Sequence, residues 1–421
     1  MSRRIAVFSD GTGQSIGRND SNVLRLCRML DLDGSDQVAI YDPGIGTHVS
    51  LNRLQTGLKI SKQMRLADSN PDSQLVRRVR IPVEMGFGAG TRENIKQLYL
   101  ALIEVSLPGD EIYLFGFSRG AFTIRALAGL VYRCGLLQRE SISTIDRALS
   151  WYGKHYASFD RDGRAAYRAK VDAYRRKHSR PCNVRFLGVW DTVKSVGYLK
   201  PVNLPHTRHN PIISTVRHAL SLDERRSFYV PTTWGGLVSD TRRAVCATAS
   251  FDLDETDDPP GAPQDVKEVW FPGNHSDVGG GYPASERAPA NNSLRWMIAE
   301  ARQCGLRFND KQYGASFPRE QDEAVTRRHD EMRDTRRWRA VWSIADRSPR
   351  KELHTEPPPP RTEWTCTPAG PRKVAESLRT TADGSETVSV HESARAVYAE
   401  VPPPWRDVPA KALVFVSTRS G

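Results

Sequence analysis

Glu111-Ile112-Tyr113-Leu114-Phe115-Gly116-Phe117-Ser118-Arg119-Gly120-Ala121-Phe122 decides how this chain folds. Its first half is a run of apolar and aromatic residues, as expected of a strand covered on both faces. Apolar residues then recur at helical spacing (Phe122, Ile124, Leu127, Leu130, Val131) and stop before Gly135. Between the two lies Gly116-x-Ser118-x-Gly120, which places the serine on a sharp strand-to-helix turn. The glycines leave room for strand and helix to cross closely. The helix N-terminus behind Ser118 offers N–H groups and a positive dipole end to a developing anion. An ordinary Gly/Ser turn is the alternative, but the flanking strand and helix are the context the motif requires.

Outward from this stretch, apolar runs recur at residues 5–8, 38–41, 112–116, 184–190 and 269–271. Helical patterns fall at 22–30, 92–104, 121–133, 211–220 and 293–304. The alternation predicts an α/β protein with a doubly wound, mostly parallel sheet. Residues 48–80 read as a polar excursion. Residues 140–180 read as helical, with eight Lys/Arg against three Asp/Glu between Asp160 and Arg180, and are expected to form a basic helical cap over the site. A solvated helix face is the blander account of that charge. Beyond about residue 310 the chain turns Arg- and Pro-rich. The expected division is a catalytic domain at 1–310 and a partly ordered extension at 311–421, packed in part on the core.

A serine nucleophile needs a base, and the base an orienting carboxylate. In α/β-hydrolases these follow in the order Ser, Asp/Glu, His, each after a strand. Asp191 ends the run 184–190, and His275 follows the run 269–271 in a Gly-rich loop, Pro272-Gly-Asn-His275-Ser-Asp277-Val-Gly-Gly-Gly281-Tyr282. Ser118, Asp191 and His275 are therefore the candidate triad. Arg119 N–H would give one oxyanion donor, and the Gly11–Thr12 turn after the first strand the other. Asp10, Gly116, Gly120 and Asp277 are supporting positions, and Asp10 with Asp277 would hold either a cation or loop hydrogen bonds. The run Ser9-Asp10-Gly11-Thr12 also invites a phosphatase reading, but the nucleophilic Asp of that chemistry is replaced by Ser9. Gly86–Arg92 lacks the last glycine of a dinucleotide loop, and His206 with His209 lacks a third ligand of zinc-site spacing. The expectation is a site without metal or cofactor.

The chain has 421 residues, 61 Lys/Arg against 49 Asp/Glu, and a formal charge of +12. That surplus leans toward an anionic partner. The Arg-rich stretch 319–351 is offset by seven acids and has no nucleic-acid motif, so nucleic acid is not expected. No run of about 18 apolar residues could span a bilayer, and the N-terminus lacks a signal-peptide h-region. The six dispersed cysteines argue against a disulfide framework. The expectation is synthesis in the cytoplasm.

Taken together, Ser9–Gly13, Tyr41–Thr47, Gly86–Thr91, Gly116–Ala121, Gly188–Val193 and His275–Tyr282 resemble one family over residues 3–310. It is the α/β-hydrolase family, long catalogued as a domain of unknown function, that is associated with type VI secretion phospholipase effectors of the first lipase class. The resemblance implies Ser118 as nucleophile, Asp191 as acid and His275 as base, acting on acyl esters of phospholipids. It also implies export without a signal peptide and a secretion-machine component or immunity protein as partner, while the basic face at 140–180 is the expected peripheral contact with an anionic membrane. Two departures stand out: the chain leaves little room for long membrane-docking insertions, and the last hundred residues match only around Val390–Ser393 and Pro402–Trp405. A carboxylesterase or lipase without an effector role, and a non-catalytic scaffold binding an anionic partner, stay open.

Overall fold

The computed structural model describes residues 2–11, 19–43, 89–153, 161–193, 204–226, 229–234, 264–317, 329, 350–354, 361–365, 372, 379–380, 386–398, 405 and 408–417. The stretch 48–80, Thr12 and Gly86–Gly88 lie outside them.

Among the described residues, nine strands form the central sheet: β1 (Arg4–Ser9), β2 (Gln37–Asp42), β3 (Glu111–Phe117), β4 (Val184–Trp190), β5 (Ile213–Ser221), β6 (Asp265–Phe271), β7 (Arg379–Thr380), β8 (Glu386–His391) and β9 (Leu413–Val416). They run in the order β7-β8-β6-β5-β4-β3-β1-β2, with β9 also paired to β8. Every pairing is parallel except that of the edge strand β7. The order reverses at β1, whose neighbours are β2 and β3. In open α/β sheets, ligands bind at the carboxyl ends of the strands at such a reversal, and β1 and β3 lead there into Asp10–Gly11 and Ser118.

Period-two alternation explains why these runs read as continuously apolar. In β1, Ile5 and Val7 join one core cluster and Ala6 and Phe8 the other. In β3, Ile112 and Leu114 face the first layer, and Tyr113, Phe115 and Phe117 the second. The first layer holds helices α2 (Ala89–Val105) and α3 (Ser118–Cys134), the second α1 (Asn22–Arg28) and α7 (Ala288–Gln303). Phe8 and Phe115 stack across the β1–β3 pair at 5.0 Å. Between α3 and α7 the chain adds α4 (Ile145–Tyr152), α5 (Arg161–His178) and the short α6 (His275–Gly279), and α8 (Asp310–Ser316) follows α7.

One expectation is corrected. Residues 211–220 read as helical but form the central strand β5. Arg217 and His218 interrupt its apolar run, and burial is tolerated because each is paired: Arg217 with Glu300 and Asp265 at 2.5 Å, His218 with Glu268 at 2.8 Å. Part of the chain beyond residue 310 packs on the core. Strand β8 pairs with β6 through Ser389↔Val269 and Val390↔Trp270, and Trp270, Val390 and Trp405 share one core cluster. The described part of 140–180 packs on α3. It meets α3 at Gly129, Arg133, Cys134 and Gly135, toward the far end of a helix about 25 Å long. Lys170, Arg175, Arg176 and Lys177 are exposed there.

Candidate active site

Each candidate residue follows the carboxyl end of a parallel strand, so the sheet gathers them at one edge. Ser118 opens α3 with φ +56°, in the left-handed region that costs a non-glycine residue energy and recurs at functional turns. The turn is possible only because two neighbours lack side chains. A Cβ on Gly116 would lie 2.7 Å from Ala121 Cα, and one on Gly120 would lie 2.5 Å from Asp10 O and closer still to Ser9 O. Arg119 sits in the first turn of α3, where N–H groups have no acceptor within the helix.

Asp191 and His275 meet directly: His275 Nδ1 and Asp191 Oδ2 are 2.6 Å apart. An ionised carboxylate only accepts, so Nδ1 carries the proton and Nε2 holds the lone pair. Asp191, with φ +38°, is itself in a left-handed turn and fully buried. Its oxygens accept from Ser221 N–H and Ser221 Oγ, both at 3.1 Å, and from Arg372 Nη1 at 2.5 Å and Nη2 at 3.0 Å. Burial alone would push this carboxyl up, but the Arg372 guanidinium and His275 hold it well below the usual carboxylate range. Burial pushes the His275 imidazole below its ordinary value, with Asp191 only partly offsetting it, so the ring is neutral near pH 7.

The ring of Phe117, the residue before Ser118, packs on the His275 imidazole at 4.6 Å, and the Tyr229 ring meets it in a T-shaped contact at 4.7 Å. The His275 backbone N–H donates to Glu224 Oε2 at 3.2 Å, and Glu224 is paired with Arg226 at 2.7 Å. Asn274 caps α6, receiving Ser276 and Asp277 N–H, while Asp277 Oδ2 accepts Asn274 N–H. His329 joins the same helix, Nδ1 to Asp277 Oδ1 at 2.7 Å and Nε2 to Glu286 at 3.1 Å, with its ring stacked on Tyr282 at 3.7 Å.

The supporting positions resolve into hydrogen bonds. Asp10 Oδ1 accepts Gly11 N–H at 2.7 Å, and Oδ2 accepts from Ser21 Oγ and, at 2.8 Å, from Tyr41 Oη. Burial pushes Asp10 up to about 6. Asp277 has its own, separate donors, so the cation reading of this pair gives way to the loop reading. The reading of Gly11 as an oxyanion donor is corrected too. A Cβ there would lie 3.5 Å from Ser118 Cβ, so Gly11 is beside the nucleophile position, but its N–H is turned to Asp10. Among the described residues, no cluster of three His, Cys, Asp or Glu side chains is arranged to hold a metal.

Several neighbours escaped the sequence reading. His218 Nε2 accepts Thr192 N–H at 3.1 Å and, through Nδ1, His218 donates to Glu268, steadying the turn that carries Asp191. Arg372, Glu224, Tyr229 and His329 carry no local motif, and their positions follow only from the fold.

A family model described as type VI secretion phospholipase effector Tle1-like, catalytic domain, matches residues 3–300. An uncharacterized protein of Saccharomyces cerevisiae, YEL023C, is 27% identical over 409 residues, covering 73% of this chain and 58% of the yeast protein. An uncharacterized protein from Pseudomonas aeruginosa of known crystal structure is 20% identical, covering 73% of this chain and 46% of that one, with TM-score 0.37. The Tle1 effector bound to the VgrG spike of the type 6 secretion system is 18% identical, covering 67% and 51%, with TM-score 0.33. The chain thus spans about half the length of the proteins it matches.

Proposed function

The chain belongs to the Tle1-like phospholipase effector family of type VI secretion, through its catalytic domain, and on that premise we propose that it is a serine hydrolase of phospholipid acyl esters. The observation that carries the reading is the buried Asp191–His275 hydrogen bond at the strand edge where Ser118 occupies a left-handed turn. Ser118 Oγ attacks the acyl carbonyl while His275 Nε2 takes its proton. Asp191 holds the imidazole in the Nδ1–H tautomer and stabilises its cation. Arg119 N–H and the α3 dipole favour the oxyanion. His275 then returns the proton to the leaving alcohol, and water resolves the acyl-enzyme by the same steps. Delivery by a secretion machine belongs to the same proposal and rests on the family alone.

Wild type and Ser118→Ala are compared on phospholipid vesicles and a short-chain fluorogenic ester, with a fluorophosphonate probe as reporter. We expect labelling at Ser118 and loss of both hydrolyses in the variant, with an unchanged circular dichroism spectrum. Retained hydrolysis in Ser118→Ala refutes the mechanism. Cleavage of the soluble ester alone refutes the lipid substrate while leaving the serine chemistry intact.

A further inference from the structure

An orienting acid needs to accept from the histidine and from a donor or two that fix its plane. Asp191 has more. Arg372 places one nitrogen on each carboxylate oxygen, and the same nitrogens reach Ser221 O at 3.0 Å and Tyr229 O at 2.5 Å. One guanidinium thereby ties together the turn after β4, the end of β5 and the residue whose ring meets His275. Arg372 is buried in doing so, with its side chain 6% exposed. A planar fork matched to a carboxylate fixes orientation in a way a single donor does not.

We propose that Arg372 is a positioning residue of the hydrolytic centre: it fixes the plane of the Asp191 carboxylate and moderates the charge that His275 feels. The inference rests on reading Ser118, Asp191 and His275 as a triad. The charge balance around the imidazole supports it. Two carboxylates face His275, Asp191 at Nδ1 and Glu224 at the backbone N–H, and two guanidiniums pair with them, Arg372 and Arg226. The rings of Phe117 and Tyr229 close two more sides. His218, which holds Thr192, is paired with Glu268, and Arg125 of α3 is bonded to the carbonyls of Thr207, Thr232 and Thr233. With His275 neutral, the two pairs around it cancel. Without Arg372, a net negative charge is left beside the ring, and protonation of His275 becomes easier. The carboxylate would then keep only Ser221 and His275 among the partners described here, and its plane could turn.

The test compares the full-length chain as wild type, Arg372→Lys and Arg372→Met. His275 is titrated by NMR on ¹³Cε1-histidine protein, its signal assigned from His275→Gln. In parallel, kcat and KM for a short-chain fluorogenic ester are measured against pH. Arg372→Met should raise the His275 midpoint by about one pH unit. Its kcat should fall about tenfold or more with KM within about twofold, the pattern of lost transition-state positioning. The acid limb of the pH profile should move with the titration. Arg372→Lys should keep the titration near wild type and still lose kcat, because an ammonium lacks the fork. A His275 midpoint and kcat in Arg372→Met equal to wild type overturn the proposal. If that variant does not fold, wild-type kcat in Arg372→Lys overturns it. Absence of ester turnover in the wild type would sink the hydrolase reading instead, and the NMR titration would still decide what Arg372 does to His275.

Discussion

Gly120→Ala puts the geometry of the serine turn under direct strain. The added methyl would sit 2.5 Å from the Asp10 carbonyl oxygen and nearer still to that of Ser9. Ordinary carbon–oxygen contact begins about 1 Å further out. Neither neighbour can move cheaply. Ser9 is the last residue of β1, in register with Asp42 on one side and Gly116 on the other. Overpacking commonly costs about 1–3 kcal/mol, and a clash with paired backbone belongs at the top of that range, about 3 kcal/mol. The relief available is for α3 to slide away from β1, which carries Ser118 with it. A shift of about 1 Å at a reacting group costs on the order of 100-fold in rate. Gly314→Ala is the matched control, since Gly314 lies in α8 with open space where a methyl would go. That change should stabilise by about 0.5–1 kcal/mol, the ordinary helix preference for alanine. Thermal and urea unfolding, with kcat/KM on a short-chain ester, read both effects. Equal unfolding midpoints and equal activity for Gly120→Ala and wild type would show that strand and helix do not approach as closely as described.

Two further predictions concern pH. Asp10 is raised from 3.8 to about 6 by burial, so the native chain holds a proton that the unfolded chain has released. Its stability should fall as pH rises through that window, by about 3 kcal/mol in all. Asp10→Asn, whose amide oxygen can still accept Gly11 N–H, should flatten urea-unfolding free energies between pH 4 and 7; curves parallel to wild type rule this out. His329 is raised above its ordinary value by its hydrogen bond to Asp277, with Glu286 adding to it. Its stabilising share is full below about pH 6.5 and is lost as pH rises through the higher folded value. The thermal-midpoint gap between wild type and His329→Gln should therefore be widest near pH 6 and narrow toward alkaline pH. A gap that does not change with pH contradicts it.

Much of the fold was legible because the information was local. Strands β1 and β3 are buried on both faces and appear as unbroken apolar runs, β4 departs from this only at the exposed Arg185, and the runs at 5–8, 38–41, 112–116 and 184–190 lie within the observed strands. The turn at Ser118 was legible because its motif is local, five residues set between an apolar run and a helical pattern, although only Gly116 is required by a nearby residue, Ala121, while Gly120 is required by Ser9 and Asp10 at the end of β1. Strand β5 was misread because its charged residues are satisfied at long range: Arg217 by Glu300, 83 positions on, and His218 by Glu268, 50 positions on. A window of ten residues contains neither partner, and the spacing of Ile213, Val216 and Leu220 imitates a helix. For 140–180, charge and helicity are visible in sequence, while the surface a helix packs on is not. The oxyanion reading of Gly11 failed for a smaller reason: the neighbouring carboxylate claims its N–H.

The same distinction bears on where the catalytic unit ends. The family match stops at residue 300, and the sequence pattern loses its rhythm soon after. Yet a fully buried carboxylate is stable as an anion only if its oxygens are filled with donors, and the donor set of Asp191 includes Arg372. The helix bearing His275 is held on its other side by His329. Strand β8 extends the sheet directly beside β6, the strand that leads into His275. Acid and base are thus both steadied by residues beyond the match, and neither contact could be replaced by solvent without exposing a charge that the fold has buried. On the proposed reading of Asp191 and His275 as acid and base, the site therefore takes in residues of the C-terminal region, Arg372 and His329.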